Sequence, residues 1–87
     1  MKKMIEGLSL YQYDSCPYCA RVRSVLDRLG LEVELRDTLM EPEYSRELIE
    51  ATGRRTVPVL RIETSEGEVS WMPESADIIR YLQDRFG

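Results

Sequence analysis

Cys16 and Cys19 are the only cysteines in the chain, and they stand two residues apart as Cys16-Pro17-Tyr18-Cys19. That spacing has a specific chemical use. Residues three apart on a helix lie on one side, so two thiols placed this way can close a disulfide and reopen it without moving the backbone. Pro17 suits the first turn of a helix, where its missing N–H removes no hydrogen bond. Cys16 then sits at the helix N-terminus, where free N–H groups and the positive end of the dipole favour a thiolate. The expectation is an exposed, nucleophilic Cys16 and a more buried, resolving Cys19.

Other uses of the pair fit less well. A structural zinc site takes about four ligands. The chain offers two cysteines and no histidine, so zinc would require a second subunit, and no metal is expected. Haem attachment of the c type wants histidine directly after the second cysteine, and residue 20 is Ala. The lack of histidine also removes Ser–His–Asp and Cys–His catalysis. The formal net charge is −4, and basic residues run no longer than Lys2-Lys3 and Arg54-Arg55. No nucleic-acid partner is expected, since one would select a basic stripe.

Glu6 and Gly7 interrupt what begins like a leader at residues 1–5, and no run approaches the roughly 20 apolar residues of a membrane span. The expected setting is cytoplasmic, without a membrane partner. There a close cysteine pair is catalytic or metal-binding rather than a staple.

The elements that position the pair can be read from apolar periodicity and breakers. Leu8 to Tyr13 reads as a strand, with Leu8 and Leu10 on one face and Tyr11 and Tyr13 on the other. The helix opened by Pro17 carries Val22, Val25, Leu26 and Leu29, and Gly30 suits its C′ position. Leu31 to Arg36 alternates as a second strand. Pro42 opens a second helix with Tyr44, Leu48, Ile49 and Ala51 on its apolar face, and Gly53 ends it. Val57 to Ile62 forms a third strand, with Pro58 expected at its start because proline cannot donate to a ladder. A turn at residues 64–67 leads to a short fourth strand, Glu68 to Trp71. Trp71 reads as either core or groove rim. Glu74-Ser75 starts a last helix, with Asp77 in its first turn and Ile78, Ile79, Leu82 and Phe86 as its buried stripe.

The order is β-α-β-α-β-β-α over residues 1–87, read as one domain. The βαβ unit implies parallel strands with a right-handed crossover. The first and third strands are apolar at most positions, so the reading is a four-stranded mixed sheet with helices on both faces.

Three segments carry a resemblance to a known family. Cys16-Pro17-Tyr18-Cys19 resembles the dithiol active site of glutaredoxins, and Thr56-Val57-Pro58 is similar to their Thr-Val-Pro motif. Pro73-Glu74-Ser75-Ala76-Asp77-Ile78 resembles the start of the last helix both in glutaredoxins and in the N-terminal domains of glutathione transferases. The resemblance spans about residues 8 to 86 and implies an α/β thioredoxin fold. It implies a cis Pro58 facing the cysteines, and a Val57 backbone whose N–H and C=O pair with glutathione as an added strand does. It also implies that Ser75 takes the γ-glutamyl carboxylate at a helix N-terminus, that Glu74 or Asp77 holds the ammonium group, and that Tyr18 flanks the groove. Where many glutaredoxins carry a lysine shortly before the first cysteine, this chain has Tyr13-Asp14-Ser15. Arg55 is the candidate substitute, with Arg54 and Arg21 as alternatives.

The implied function is glutathione-dependent thiol–disulfide exchange on protein disulfides and protein–glutathione mixed disulfides. Glutathione is the co-substrate, and a monomer is expected. Two alternatives remain. One is a thioredoxin-like reductase served by a flavoprotein. The other is a non-enzymatic glutathione or iron–sulfur binding module, against which Pro17 counts. A complete transferase is not expected, because no helical domain follows Gly87.

Overall fold

The computed structural model describes residues 2–87. Its elements are β1 (Lys3–Gln12), α1 (Pro17–Leu29), β2 (Leu31–Asp37), α2 (Pro42–Thr52), β3 (Val59–Glu63), β4 (Val69–Met72) and α3 (Ser75–Phe86). The expected element order holds. The sheet order is β2-β1-β3-β4, with β1 parallel to β2 and antiparallel to β3, and β3 antiparallel to β4. This is the mixed sheet of a thioredoxin-like fold.

Period-2 alternation along β1 sends its residues into two different cores. Leu8 and Leu10 join Val22, Val25 and Leu26 of α1, Ile78 and Leu82 of α3, and residues of β2 and β3 in the larger one. Tyr11 points to the opposite face, where it packs with Leu48 of α2 and Val59, lined by Tyr44, Val57 and Trp71. Helices therefore cover both faces. Trp71 is half-buried and leans on Tyr11 at 5.3 Å between ring centroids, so it belongs to the smaller core.

The structure moves several strand boundaries. β1 begins at Lys3, five residues before the expected start. The extra stretch is mostly exposed, so it carries no burial alternation. Its register with β2 breaks between Met4 and Ser9, where Gly7 adopts φ 87°. A Cβ on Gly7 would lie 2.4 Å from the Glu63 carbonyl oxygen. Only glycine permits both this backbone and this approach. β3 begins at Val59, leaving Val57 and Pro58 in the preceding loop, since the ladder opens with the pair Tyr11↔Val59. β4 is displaced by one residue, to Val69–Met72.

On α2, Leu48 is fully buried, Tyr44 and Ile49 are partly so, and Ala51 is exposed. Leu35 of the edge strand β2 is likewise exposed despite its alternation. A polar clasp reinforces α2. The Tyr11 hydroxyl donates to Glu47 at 3.1 Å and accepts from Arg36 at 2.6 Å. The Arg36 guanidinium lies over the Tyr11 and Tyr44 rings and pairs with Glu34 and Glu47.

Candidate functional site

β1 delivers the chain to the cysteines through a short turn, and α1 begins immediately after. Cys16 is the N-cap of α1, at φ −79° and ψ 118°, with Pro17 in the first helical position. The Cys16 side chain does what a capping oxygen usually does. Its Sγ accepts the Cys19 backbone N–H at 3.2 Å. The Cys16 N–H in turn donates to the Tyr13 carbonyl at 3.2 Å. Both cysteines are free thiols.

The expected exposure of Cys16 is corrected by the fold. Cys16 is only 4% exposed and Cys19 not at all. The capping bond explains this, because it turns the Cys16 sulfur inward over the first turn of the helix. The expected order, with Cys19 the deeper, holds. Burial pushes the Cys19 thiol up to about 12, and its contact with Cys16 adds to the rise. A backbone hydrogen bond from Tyr13 and the charge of Arg23 act in the opposite direction but do not prevail. At neutral pH Cys19 is a thiol.

Beside the pair lies a groove of about 340 Å³ lined by Tyr18, Arg54, Thr56, Val57, Pro58, Pro73, Glu74 and Ser75. It joins the three segments singled out from the sequence. The Val57–Pro58 bond is cis. Pro58 is buried while Val57 is half-buried beyond the end of the ladder. Tyr18, 58% exposed, is the residue through which the cysteine motif reaches this groove.

Glu74 is the N-cap of α3 but makes no side-chain cap bond. The helix therefore presents first-turn N–H groups to the groove at Ser75, the arrangement that favours an anion. Asp77 sits in that first turn but does not line the groove.

Arg55 is not brought to this groove. It lines a separate depression with Tyr13, Leu39, Arg46 and Ile49. Arg54 takes the position facing the groove. The two neighbours lie in an irregular segment between α2 and β3 and line different depressions. Arg21 is exposed on α1.

Sequence reasoning missed Arg23. From α1 it reaches back to bond the Gln12 side chain, the Tyr13 carbonyl at 3.4 Å and the Asp14 carbonyl at 3.3 Å. The available signal was its place one turn after Cys19, on the side facing the preceding loop.

The chain is similar to several known proteins. A profile of the family described as glutathione S-transferase, N-terminal domain, matches residues 10–87. Glutaredoxin 2 of Escherichia coli K12 is 33% identical over 75 residues, covering 86% of this chain and 32% of its own length. The chain thus spans about a third of that curated relative. Among solved structures, a trimeric glutathione transferase from Leishmania superposes with TM-score 0.76 at 26% identity, covering 92% of this chain and 18% of that one.

The maleylacetoacetate isomerase of Anaeromyxobacter dehalogenans, solved with glutathione bound in its active site, gives TM-score 0.68 at 29% identity, over 91% of this chain and 37% of that one. Glutaredoxin from Brucella melitensis gives 0.57 at 28% identity, over 88% and 77%. With nearly all of its length inside the family profile, the chain belongs to the glutathione S-transferase N-terminal domain family.

Proposed function

We propose that this chain carries out glutathione-dependent thiol–disulfide exchange, with Cys16 as nucleophile and Cys19 as resolving thiol. The observation that carries the reading is the Cys16 sulfur at the head of α1, already accepting the Cys19 N–H. A hydrogen bond of this kind strengthens when its acceptor is an anion.

The chemistry runs as follows. The Cys16 thiolate attacks one sulfur of a disulfide R–S–S–R′ and forms Cys16–S–S–R, while R′–S⁻ leaves and takes a proton from water. When R is glutathione, a second glutathione thiolate attacks, releases oxidised glutathione and restores the Cys16 thiolate. When R is a protein, Cys19 gives up its proton and attacks the Cys16 sulfur. The Cys16–Cys19 disulfide forms, R–S⁻ leaves, and two electrons have passed from the pair to the substrate. Two glutathione molecules then reduce the pair.

The groove supplies the complement of glutathione. The Val57 backbone is free of the ladder to pair with the cysteinyl unit. Ser75 and the first-turn N–H groups of α3 suit the γ-glutamyl carboxylate, and Glu74 suits its ammonium group. Arg54, in place of the expected Arg55, is the cation that faces the groove. Tyr18 flanks the peptide.

Turnover of a small glutathione mixed disulfide, with glutathione as reductant, tests the reading. Cys16→Ser abolishes that turnover. Cys19→Ser largely spares it, yet removes activity on a protein disulfide. Activity surviving Cys16→Ser refutes the assignment. Reduction only by a flavoprotein reductase, with no turnover by glutathione, selects the thioredoxin-like alternative.

A further inference from the structure

The exchange mechanism leaves a problem that the structure itself raises. Cys19 must become an anion to resolve a mixed disulfide, yet it is wholly buried and held as a thiol. Two features near it work against burial, and both lead to one side chain. The Tyr13 backbone and the positive charge of Arg23 both act to lower the Cys19 thiol. The titratable or charged groups that bear on this sulfur are Cys16 and Arg23.

Arg23 lies four residues after Cys19 on α1, and hence one turn along the same side. It does not project to solvent as a solvated surface arginine does. Its guanidinium grips three successive residues before Cys16, namely Gln12 at the end of β1 and Tyr13 and Asp14 of the turn. Gln12 is itself buried, so the grip is anchored at one end in the core. The middle acceptor, the Tyr13 carbonyl, also receives the Cys16 N–H. The Tyr13 carbonyl therefore meets Arg23 and Cys16 at once. A planar guanidinium with several donors in fixed directions suits such a multiple grip, whereas an ammonium group does not.

We propose that Arg23 is a positioning residue for the resolving step, holding the Tyr13 carbonyl against the Cys16 N–H at the head of α1, where the Cys16 sulfur meets Cys19 for attack. The inference rests on the exchange reading above and deepens it. In that step the Cys19 proton leaves to water, the Cys19 Sγ–Cys16 Sγ bond forms, and the bond from Cys16 to the substrate sulfur breaks. Arg23 neither donates nor accepts the proton.

A small pyridyl disulfide separates the two steps. Attack by Cys16 releases the first pyridylthiol in a concentration-dependent phase. Closure by Cys19 releases the second in a phase independent of concentration. Loss of the Arg23 charge, the smallest of the causes acting on Cys19, raises that thiol by up to about one unit. One unit leaves about tenfold less thiolate, partly offset by greater nucleophilicity, so closure slows by up to about threefold.

In Arg23→Gln the second phase slows by up to that factor and its pH midpoint moves upward. Arg23→Lys keeps the charge without the fork and falls between the two. Arg28→Gln, which removes an exposed charge from the last turn of the same helix, leaves the phase where it was. Thermal melts establish that each variant is folded, and if Arg23→Gln is not, Arg23→Lys carries the comparison. Closure in the folded variants at the parent's rate and pH midpoint overturns the proposal for Arg23 alone. A parent protein that releases only one equivalent overturns the dithiol reading beneath it, and the proposal with it.

Discussion

If burial is what holds Cys19 protonated, that thiol stays sluggish even when its neighbour is gone. The perturbation is Cys16→Ser, which leaves Cys19 as the only thiol. Desolvation, the largest cause of its rise from 9.0 to about 12, survives the substitution, whereas the contribution of the Cys16 side chain is altered. Three units correspond to about a thousandfold less thiolate than an ordinary cysteine at any pH below 9.

The remaining thiolate is a better nucleophile, because reactivity in exchange rises with thiol pKa at a Brønsted slope of about 0.4–0.5. The net deficit toward a small disulfide is then about 30- to 60-fold. Restricted access to a sulfur with no exposed surface adds to it. The assay is the second-order rate with a pyridyl disulfide from pH 6 to 11, folded and in denaturant. Because the Cys16 contribution is altered by the substitution, this factor is the ceiling set by protonation alone; the folded rate is expected to fall short of the denatured one and to keep rising beyond pH 10. A folded-state midpoint near 9, or equal rates in the two states, would refute the argument that burial sets the resolving thiol.

Other outcomes follow from the same structure. The raised Cys19 favours the protonated folded state, so its contribution to stability is complete below pH 9 and is lost as pH rises through about 12. The Tyr11 hydroxyl, also raised by burial, acts in the same direction. Urea midpoints of the reduced protein should therefore decline above pH 9, and a constant midpoint from pH 8 to 11 would contradict this.

Leu48→Ala removes the one fully buried side chain of α2. It should cost about 2–5 kcal/mol, read as a fall in the urea midpoint, and a loss below 1 kcal/mol would mean that the site collapses around the gap. Gly7→Ala sets a methyl 2.4 Å from the Glu63 carbonyl in a left-handed backbone. The backbone alone should cost about 1–2 kcal/mol, and an unchanged melting temperature would show that β1 tolerates a different path there.

Much of the fold and half of the site could be read in advance because both depend on local chemistry. Pro17 and Gly30 mark the ends of α1 through backbone geometry that no distant contact needs to supply. Leu8, Leu10 and Tyr11 declare two faces through a period of two. Cys16 and Cys19 share a helix turn because the spacing between them requires it. The start of β1 was less legible, since Lys3 to Gly7 buries little, and its pairing with β2 at Lys3 and Met4 leaves no hydrophobic signature.

What required tertiary structure is which side chains face one another across elements far apart in sequence. Arg54 and Arg55 are identical as letters, and only the path of the chain after α2 sends one into the groove and the other away. Cys16 lost its expected exposure to a capping bond whose direction depends on the local fold. Arg23 belongs to the site through three acceptors nine to eleven residues before it, at the end of β1 and in the turn that follows. Local residue types determine where a helix begins and which thiols can meet. The environment that decides how reactive those thiols are is assembled by packing, because burial and distant charge act through space rather than along the chain.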